Sequence, residues 1–222
     1  MTLPIIIAVD GTAASGKGTL AKKLAAHFQF AHLDSGALYR LVALGVVEAG
    51  GDPNGEADAV KAARAVDVGR RDDPRIRSAE IGHAASLVSV FPAVRQALLE
   101  FQRSFAARPP GDGRGAVIDG RDIGTVICPA ATVKLFIDAK PEVRAHRRFL
   151  ELKSFGGWPD EATILKELVE RDKRDRERAI SPLKPAPDAL LLDTSRLDID
   201  AAFAAALALV KPKVEEALKA VP

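Results

Sequence analysis

Short apolar segments alternate along the chain with longer segments of helical periodicity, and each apolar segment ends in an aspartate. The near-continuous hydrophobicity of the short segments is typical of strands that are covered on both faces. The predicted strands are residues 5–10, 31–34, 115–119, 132–138 and 189–193. The predicted helices are residues 16–28, 36–49, 56–65, 79–88, 93–107, 141–153, 160–178 and 199–218. This order predicts an α/β fold in which helices flank a parallel sheet and ligands bind at the carboxyl ends of the strands.

The aspartates that end the predicted strands would therefore lie at the ligand-binding edge of the sheet. They are Asp10, Asp34, Asp119, Asp138 and Asp193. An aspartate at such a position can also cap a helix or close a turn, and we expect this structural role for Asp138 and Asp193.

Two stretches look like additions to this core within a single domain of residues 1–222. Residues 54–108 contain helical patterns but no convincing core strand, which predicts a separate lobe. Residues 152–163 are a break marked by glycine and proline between two arginine-rich helices, as expected of a lid. The predicted core is residues 1–53, 109–140 and 179–222, with the lid region at 141–178.

The composition favours a globular protein over one that coats nucleic acid or lies in a membrane. The 222 residues are 47% hydrophobic, and 32 basic and 30 acidic residues give a formal charge of +2. No segment approaches the roughly 20 apolar residues of a membrane span, and the first residues lack an export signal. A single cysteine, Cys128, allows no internal disulfide, and the histidines lack metal-ligand spacing. We expect a cytoplasmic monomer that binds neither nucleic acid nor membranes, with ordinary surface or boundary histidines at His27, His32, His83 and His146.

The strongest chemical signal is DGTAASGKGT, residues 10–19, between the first predicted strand and the first predicted helix. Gly11, four further residues, Gly16 and Lys17 match the phosphate-binding loop template. Glycines let successive backbone N–H groups point at phosphate oxygens, the helix N-terminus adds to their field, and Lys17 reaches the outer phosphates. The sequence therefore predicts a nucleoside triphosphate site. Its residues are Gly11, Thr12, Ala13, Ala14, Ser15, Gly16, Lys17, Gly18 and Thr19.

The hydroxyl residue after the lysine is displaced by one position. Gly18 stands where the simplest template has Ser or Thr, and the hydroxyl comes next, at Thr19. This GKGT form is similar to that of small-molecule kinases of the nucleoside monophosphate kinase group rather than to that of GTPase switches. We expect Thr19 or a nearby acidic residue to help hold Mg²⁺.

Arginine and carboxylate residues cluster after two of the predicted strands. LDSGALYR brings Ser35 and Arg40 onto the first turns of a helix, and VIDGRD brings Asp119, Arg121 and Asp122 to the end of a strand. Phosphoryl transfer between two anions needs such clusters, because the charge on the transferring group must be neutralised.

Two later helices also carry arginines on one face. Helical spacing places Arg171, Arg174, Asp175 and Arg178 together, and RAHRR contributes Arg144, Arg147 and Arg148. Acidic residues are interspersed among them, so a solvated surface with ion pairs is an equally good explanation for about half of these arginines.

These motifs together resemble bacterial cytidylate kinases. The resemblance is carried in order by DGTAASGKGT, LDSGALYR, IRSAEIGHAAS, FPAVRQALLEFQRSF, DGRDIGTVICP, RAHRRF and ERDKRDRERAISPL. It implies the nucleoside monophosphate kinase fold and transfer of the γ-phosphoryl group of ATP to CMP or dCMP with Mg²⁺.

The resemblance also implies which residues bind the acceptor. Arg40 and Arg121 would bind its phosphate, and Asp175 its sugar hydroxyls. The residues implied to contact the cytosine ring are Ser86, Arg95, Asp122 and Arg178, and the acceptor side further includes Ser35 and Asp119.

A catalytic group of residues is implied in the same way. Lys17 would contact the transferring group together with Arg121. The lid arginines implied to close over the two phosphates are Arg144, Arg148 and Arg171.

One segment departs from the family pattern. Only GRRDDPR, residues 69–75, stands where the family members have a longer antiparallel β insert, so this insert must be trimmed or lost. Other kinases of this fold, acting on UMP, AMP, shikimate or dephospho-coenzyme A, are alternatives, as is a nucleotide-binding switch. The switch is disfavoured because the chain lacks an NKxD-type element and carries many arginines for a second anion.

Overall fold

The computed structural model describes residues 3–154 and 160–219. Its strands are β1 (Ile5–Gly11), β2 (Ala31–Asp34), β3 (Gly115–Gly120), β4 (Val133–Asp138) and β5 (Leu190–Asp193). Its helices are α1 (Lys17–Phe28), α2 (Ser35–Glu48), α3 (Glu56–Arg64), α4 (Ala79–Val88), α5 (Pro92–Ala107), α6 (Pro141–Ser154), α7 (Glu161–Glu177) and α8 (Ile199–Lys219). Each predicted strand and helix is confirmed, with small differences at the ends. Part of the predicted lid, residues 155–159, lies outside the described residues.

The five strands form one sheet with the order β2-β3-β1-β4-β5. β1 pairs in parallel with both β3 and β4, and β4 pairs in parallel with β5. Every residue of β1 is buried, as its apolar sequence predicts for a central strand covered on both faces. In an α/β sheet ligands bind where the connections diverge from a central strand, and here the loop after β1 occupies that position.

The first compact unit comprises Met1–Leu33 and Arg103–Pro222. Its apolar core packs the sheet against α1 and α8, and Leu24, Leu135 and Val210 are among its fully buried members. Both helices bury small and branched residues at helical spacing, and with these faces they cover the sheet. The loop after β1 lies at the carboxyl end of the strand.

The second compact unit, Asp34–Gln102, has an apolar core of its own. The sequence placed residues up to 53 with the sheet and began the lobe at residue 54, whereas the unit described here already includes α2. The reason is packing: α2 contacts α3 and α4, and it buries Leu38 and Val42 among their apolar residues. The periodicity of α2 predicts a buried face but not the helices that cover it.

The shortened insert forms two 3₁₀ turns, Val68–Arg70 and Pro74–Arg77. Arg70 donates to both carboxylate oxygens of Glu48, at 2.9 and 2.7 Å, and Asp73 caps the second turn. Ion pairs and caps thus hold this segment, which the described residues show to contain turns and no strand.

Within the described ranges no single helix is long and apolar enough to cross a membrane. The helices α4 and α5 would be long and apolar enough only if taken together, and the chain bends by 101° between them.

Candidate active site

The loop between β1 and α1 has the backbone geometry that its glycines allow. A side chain on Gly11 would collide with the carbonyl oxygen of Ile137 on β4, so the close approach of the two strands requires glycine. Gly16 precedes α1 with φ +88°, a left-handed conformation, and Ala14 has φ +58°. The chain therefore curls before the helix begins, as the phosphate-binding template predicts.

Side chains from other segments hold the carbonyl groups of this loop. Arg144 donates to the carbonyl oxygen of Ala13 at 3.2 Å. Arg147 and Thr194 donate to that of Ser15, at 3.4 and 3.0 Å. Because a trans peptide points its N–H group opposite to its carbonyl, the N–H groups of Ala14 and Gly16 point away from these side chains, as an anion-binding nest requires.

The lysine and the hydroxyl of the motif lie on the first turn of α1. Lys17 Nζ is 3.4 Å from the carbonyl oxygen of Thr12, so the ammonium group lies along the loop. Thr12 itself is buried, and its hydroxyl donates to Asp138 at 2.6 Å. Thr19 is exposed, as a ligand-facing hydroxyl would be.

The turn expected at Asp193 is confirmed, because its carboxylate accepts from Ser195 N, two residues on, at 2.8 Å. Asp138 accepts from Ala139 N at 2.9 Å and from the Thr12 hydroxyl, so the cap or turn expected for it stays a prediction. Asp34 caps α2.

Arginines converge on Asp175 in α7. Arg121 Nε donates to the Asp175 carboxylate at 3.0 Å, and an Arg178 nitrogen lies 3.8 Å from it. Burial alone would raise the pKa of Asp175, but the charges of Arg121, Arg171 and Arg178 hold it below its ordinary value. The structure thus brings three of the predicted site arginines together around the carboxylate of a fourth predicted site residue, Asp175.

The end of β3 lies beside the phosphate-binding loop. One carboxylate oxygen of Asp119 is 2.8 Å from His32 Nε2, and the other would be 3.6 Å from a Cβ built on Gly18. Asp122 is 5% exposed and begins a π-helical turn, Ile123–Ile127. The carboxylates predicted after β3 are therefore positioned within one short segment, one of them against the first turn of α1.

The remaining predicted acceptor residues belong to the Asp34–Gln102 unit. Arg40 donates to the carbonyl oxygen of Ile76 at 2.6 Å, and a Cβ on Gly82 would lie 3.1 Å from its guanidinium. Glycine in α4 thus leaves room for the Arg40 side chain on the helix surface.

The other three predicted acceptor residues in this unit are buried. Arg95 donates to the carbonyl oxygen of Ser89 at 3.3 Å and lies over the Tyr39 ring, 5.4 Å from its centroid. Ser86, on α4, is 2% exposed, and Ser35 is a buried first residue of α2. The unit therefore holds Arg40 and Arg95 by hydrogen bonds to two different backbone carbonyls, those of Ile76 and Ser89.

The arginines assigned to the lid have different surroundings from one another. Arg148 pairs with Glu151 at 2.8 Å, one turn along α6. Arg144 is 1% exposed and pairs with Asp172 of α7 at 2.6 Å while donating to two backbone carbonyls. In this conformation Arg144 joins α6, α7 and the phosphate-binding loop, which is a role the sequence did not predict; its contact with substrate phosphates stays a prediction.

Sequence reasoning did not predict the contacts of several residues that shape the site. Asp10 accepts hydrogen bonds from two residues that follow Asp122, and His32, expected to be an ordinary histidine, contacts Asp119. Arg147 donates to Thr194 and Leu197 as well as to the phosphate-binding loop. The one available signal was the position of Asp10, directly before the first glycine of the motif.

A parallel sheet, a glycine-bounded loop that curls before a helix, and arginines clustered around a buried carboxylate are together the features of a P-loop phosphotransferase. The solved structure of a gluconokinase from Sinorhizobium meliloti 1021 has the same fold, with a TM-score of 0.52 and 13% identity over 100% of each chain. A sugar kinase from Janibacter sp. HTCC2649 is similar at a TM-score of 0.50 and 14% identity, over 94% of this chain and 95% of that one.

The chain belongs to the cytidylate kinase family, whose model matches residues 7–212. It is 58% identical over 207 residues to a protein named cytidylate kinase from Rhodopseudomonas palustris (strain TIE-1), covering 93% of this chain and 96% of that protein. A cytidylate kinase from Nitrobacter winogradskyi is 56% identical over the same shares of the two chains. The family resemblance noted from the motifs is therefore confirmed.

Proposed function

We propose that this chain transfers the γ-phosphoryl group of ATP to CMP or dCMP, giving ADP and CDP or dCDP. The observation that carries the proposal is that Arg144 connects the phosphate-binding loop to α7, the helix whose arginines surround Asp175. Arg144 contacts both the Ala13 carbonyl of the phosphate-binding loop and Asp172 of α7. Asp175, on which the arginines converge, lies one helical turn further along α7.

On the donor side, the loop amides and Lys17 bind the phosphates of ATP. Lys17 moves from the Thr12 carbonyl to the γ-phosphate, where its charge stabilises the transferring group. The loop residues provide a fixed set of N–H donors, because their carbonyls are already held by other side chains.

On the acceptor side, arginines bind the phosphate of CMP and place it in line with the γ-phosphoryl group. We assign Arg40 and Arg121 to this phosphate, Asp175 to the sugar hydroxyls, and Ser35 and Asp119 to further acceptor contacts. The residues that contact the cytosine ring are Ser86, Arg95, Asp122 and Arg178. No general base is required, because the acceptor is already an anion and positioning with charge neutralisation suffices.

Mg²⁺ is the expected cofactor, and the donor chemistry fits it. The exposed hydroxyl of Thr19 and the Asp119 carboxylate beside Gly18 are hard oxygen ligands, and Mg²⁺ in kinases takes few protein ligands besides substrate phosphates. Bound there, the ion would neutralise charge on the β- and γ-phosphates. Arg144, Arg148 and Arg171 would close over the two phosphates, and the protein would act as a cytoplasmic monomer.

The test is ADP release by the purified full chain with ATP, Mg²⁺ and a panel of acceptors. CMP and dCMP should accelerate ADP release well above that seen with UMP, AMP, GMP, shikimate or dephospho-coenzyme A. A rate that is slow and the same with every acceptor would instead indicate a nucleotide switch, and acceleration by another acceptor alone would reassign the substrate.

A further inference from the structure

Asp10 lies behind the segment that carries Arg121 and Asp122. Its carboxylate oxygens accept hydrogen bonds from Ile123 N and Gly124 N, each at 2.8 Å. The Asp10 side chain is buried, with 4% of the residue exposed, at the end of β1 opposite Gly120 on β3. The two hydrogen bonds therefore join the end of β1 to the segment that follows β3.

The segment that Asp10 holds, Ile123–Ile127, is also hydrogen-bonded to the backbone of Asp122. Val126 N and Ile127 N donate to the Asp122 carbonyl oxygen at 2.9 and 3.1 Å, forming the π-helical turn. π-Helical turns are rare and cluster at functional sites, and this one needs an external partner for its first N–H groups. Asp10 supplies that partner on both of its carboxylate oxygens.

Packing around the turn leaves little freedom for an alternative position. A Cβ on Gly124 would lie 3.1 Å from the Lys134 side chain and 3.4 Å from an Asp10 carboxylate oxygen. A side chain at Gly124 would therefore fit only if the Lys134 side chain shifted by a few tenths of an ångström, and the turn packs between β1 and β4.

The electrostatics agree with this arrangement. Burial raises the pKa of Asp10 to about 6, while the N–H groups of Gly124 and Ile123 oppose the increase. Asp122 raises the pKa further and Arg121 lowers it, so the charges of both residues act on Asp10. A buried carboxylate is costly, and one that also interacts with proposed substrate contacts is a candidate for a role in the site.

We propose that Asp10 is a positioning residue for the acceptor: it holds the turn after Asp122 and so fixes Arg121 and Asp122 in the orientation that binds CMP. The inference rests on the proposed acceptor contacts of Arg121 and Asp122. Asp10 is also the residue before Gly11, so a role through the ATP loop is the competing explanation. The two explanations differ in which ligand a substitution at Asp10 should weaken: CMP if Asp10 positions the acceptor contacts, and the adenine nucleotide if it acts through the ATP loop.

The test uses Asp10→Asn in the full chain. An amide has the size of the carboxylate, but its NH₂ group would face one of the two N–H donors. We expect hydrogen exchange at Ile123 and Gly124 to become about tenfold faster or more, while the β1 amides of Ile7 and Val9 stay protected. CMP affinity, measured by calorimetry, should fall about tenfold, and ADP affinity should change by less than about twofold.

Two further variants separate positioning from general destabilisation. Val210→Ala removes buried volume from α8 and lowers the melting temperature, yet it should leave CMP affinity unchanged. Gly124→Ala, which crowds the same turn against the Lys134 side chain, should also weaken CMP binding and serves if Asp10→Asn does not fold.

Several outcomes would overturn the proposal. Unchanged exchange at Ile123 and Gly124 would show that Asp10 does not hold the turn, and a larger loss of ADP than of CMP affinity would assign it to the ATP loop. Asp122→Asn distinguishes the proposal from its premise. If Asp122→Asn weakens CMP binding but Asp10→Asn does not, Asp10 alone is wrongly assigned; if neither does, both the acceptor contact and the positioning role are rejected.

Discussion

Lys17 is the residue on which phosphoryl transfer depends most directly. We expect Lys17→Ala to lower kcat about 100-fold or more, because the ammonium group stabilises charge that develops on the transferring phosphoryl group. The fold should persist, since the side chain is only partly buried beside the Thr12 carbonyl. Lys22→Ala, at an exposed position on the same helix, should leave kcat unchanged. Near-normal turnover by a folded Lys17→Ala enzyme would remove the loop from the mechanism.

Asp10 should make the folded protein less stable as the pH rises. Its folded pKa, raised to about 6 by burial, exceeds the ordinary value of 3.8, so the folded state favours the protonated form. The contribution of Asp10 to stability is therefore complete below about pH 4 and is lost as the pH rises through about 6, by roughly 3 kcal/mol. The measurement is urea unfolding of wild type and Asp10→Asn between pH 4 and 7, where the free-energy difference should shift in favour of Asp10→Asn. A difference that stays constant with pH would contradict the buried, charged carboxylate.

Some residues had roles that the sequence alone could predict, and others did not. The loop glycines and Lys17 were predictable because their spacing is local and the backbone requirement is specific. The partners of Asp10 and Arg144 were not, since they lie 113 residues away in one case and on a separate helix in the other. An aspartate before a glycine motif has the same local pattern whether it binds a ligand or holds a distant turn.

Elements were predicted well because their boundaries have local signals. Asp34, Ser78 and Asp160 cap α2, α4 and α7, and each side chain accepts from a helix N–H group. Which elements contact one another is a different question, because an apolar face has the same pattern whatever covers it. The inclusion of α2 in the Asp34–Gln102 unit and the π-helical turn after Asp122 both depend on such tertiary contacts.

The pairing of α6 with α7 should depend on the buried Arg144–Asp172 ion pair. Asp172→Asn leaves the Arg144 charge without its carboxylate and should lower the free energy of unfolding by about 3 kcal/mol. The double variant with Arg144→Met and Asp172→Leu should recover much of this loss, because an apolar pair needs no desolvated charge. Glu215→Gln, which breaks the exposed pair with Lys211 on α8, should change stability by less than about 0.5 kcal/mol.

Chemical and thermal unfolding with parallel kinetics would test this prediction. If Arg144→Met abolishes turnover and leaves stability unchanged, Arg144 acts on the phosphates, as the family resemblance implies, and its contact with Asp172 is incidental.

At the scale of the whole molecule, we propose that a carboxylate in the acceptor site selects cytosine. Cytosine presents an amino donor at C4, whereas uracil presents a carbonyl there, and a carboxylate can only accept. Asp122, 5% exposed at the end of β3, would pair with the cytosine amine and repel the uracil carbonyl. A buried polar site penalises a mismatched ligand because its own groups lose their partners.

The most direct test compares kcat/KM for CMP and UMP in wild type and in Asp122→Asn, whose amide can also donate. Asp112→Asn, at an exposed turn, is the matched control and should leave both values unchanged. We predict that Asp122→Asn lowers kcat/KM for CMP and narrows the CMP-to-UMP ratio by about tenfold, equivalent to roughly 1.4 kcal/mol of lost discrimination. An equal fall of both efficiencies, with the ratio unchanged, would contradict the account, because Asp122 would then shape the site without contacting the base.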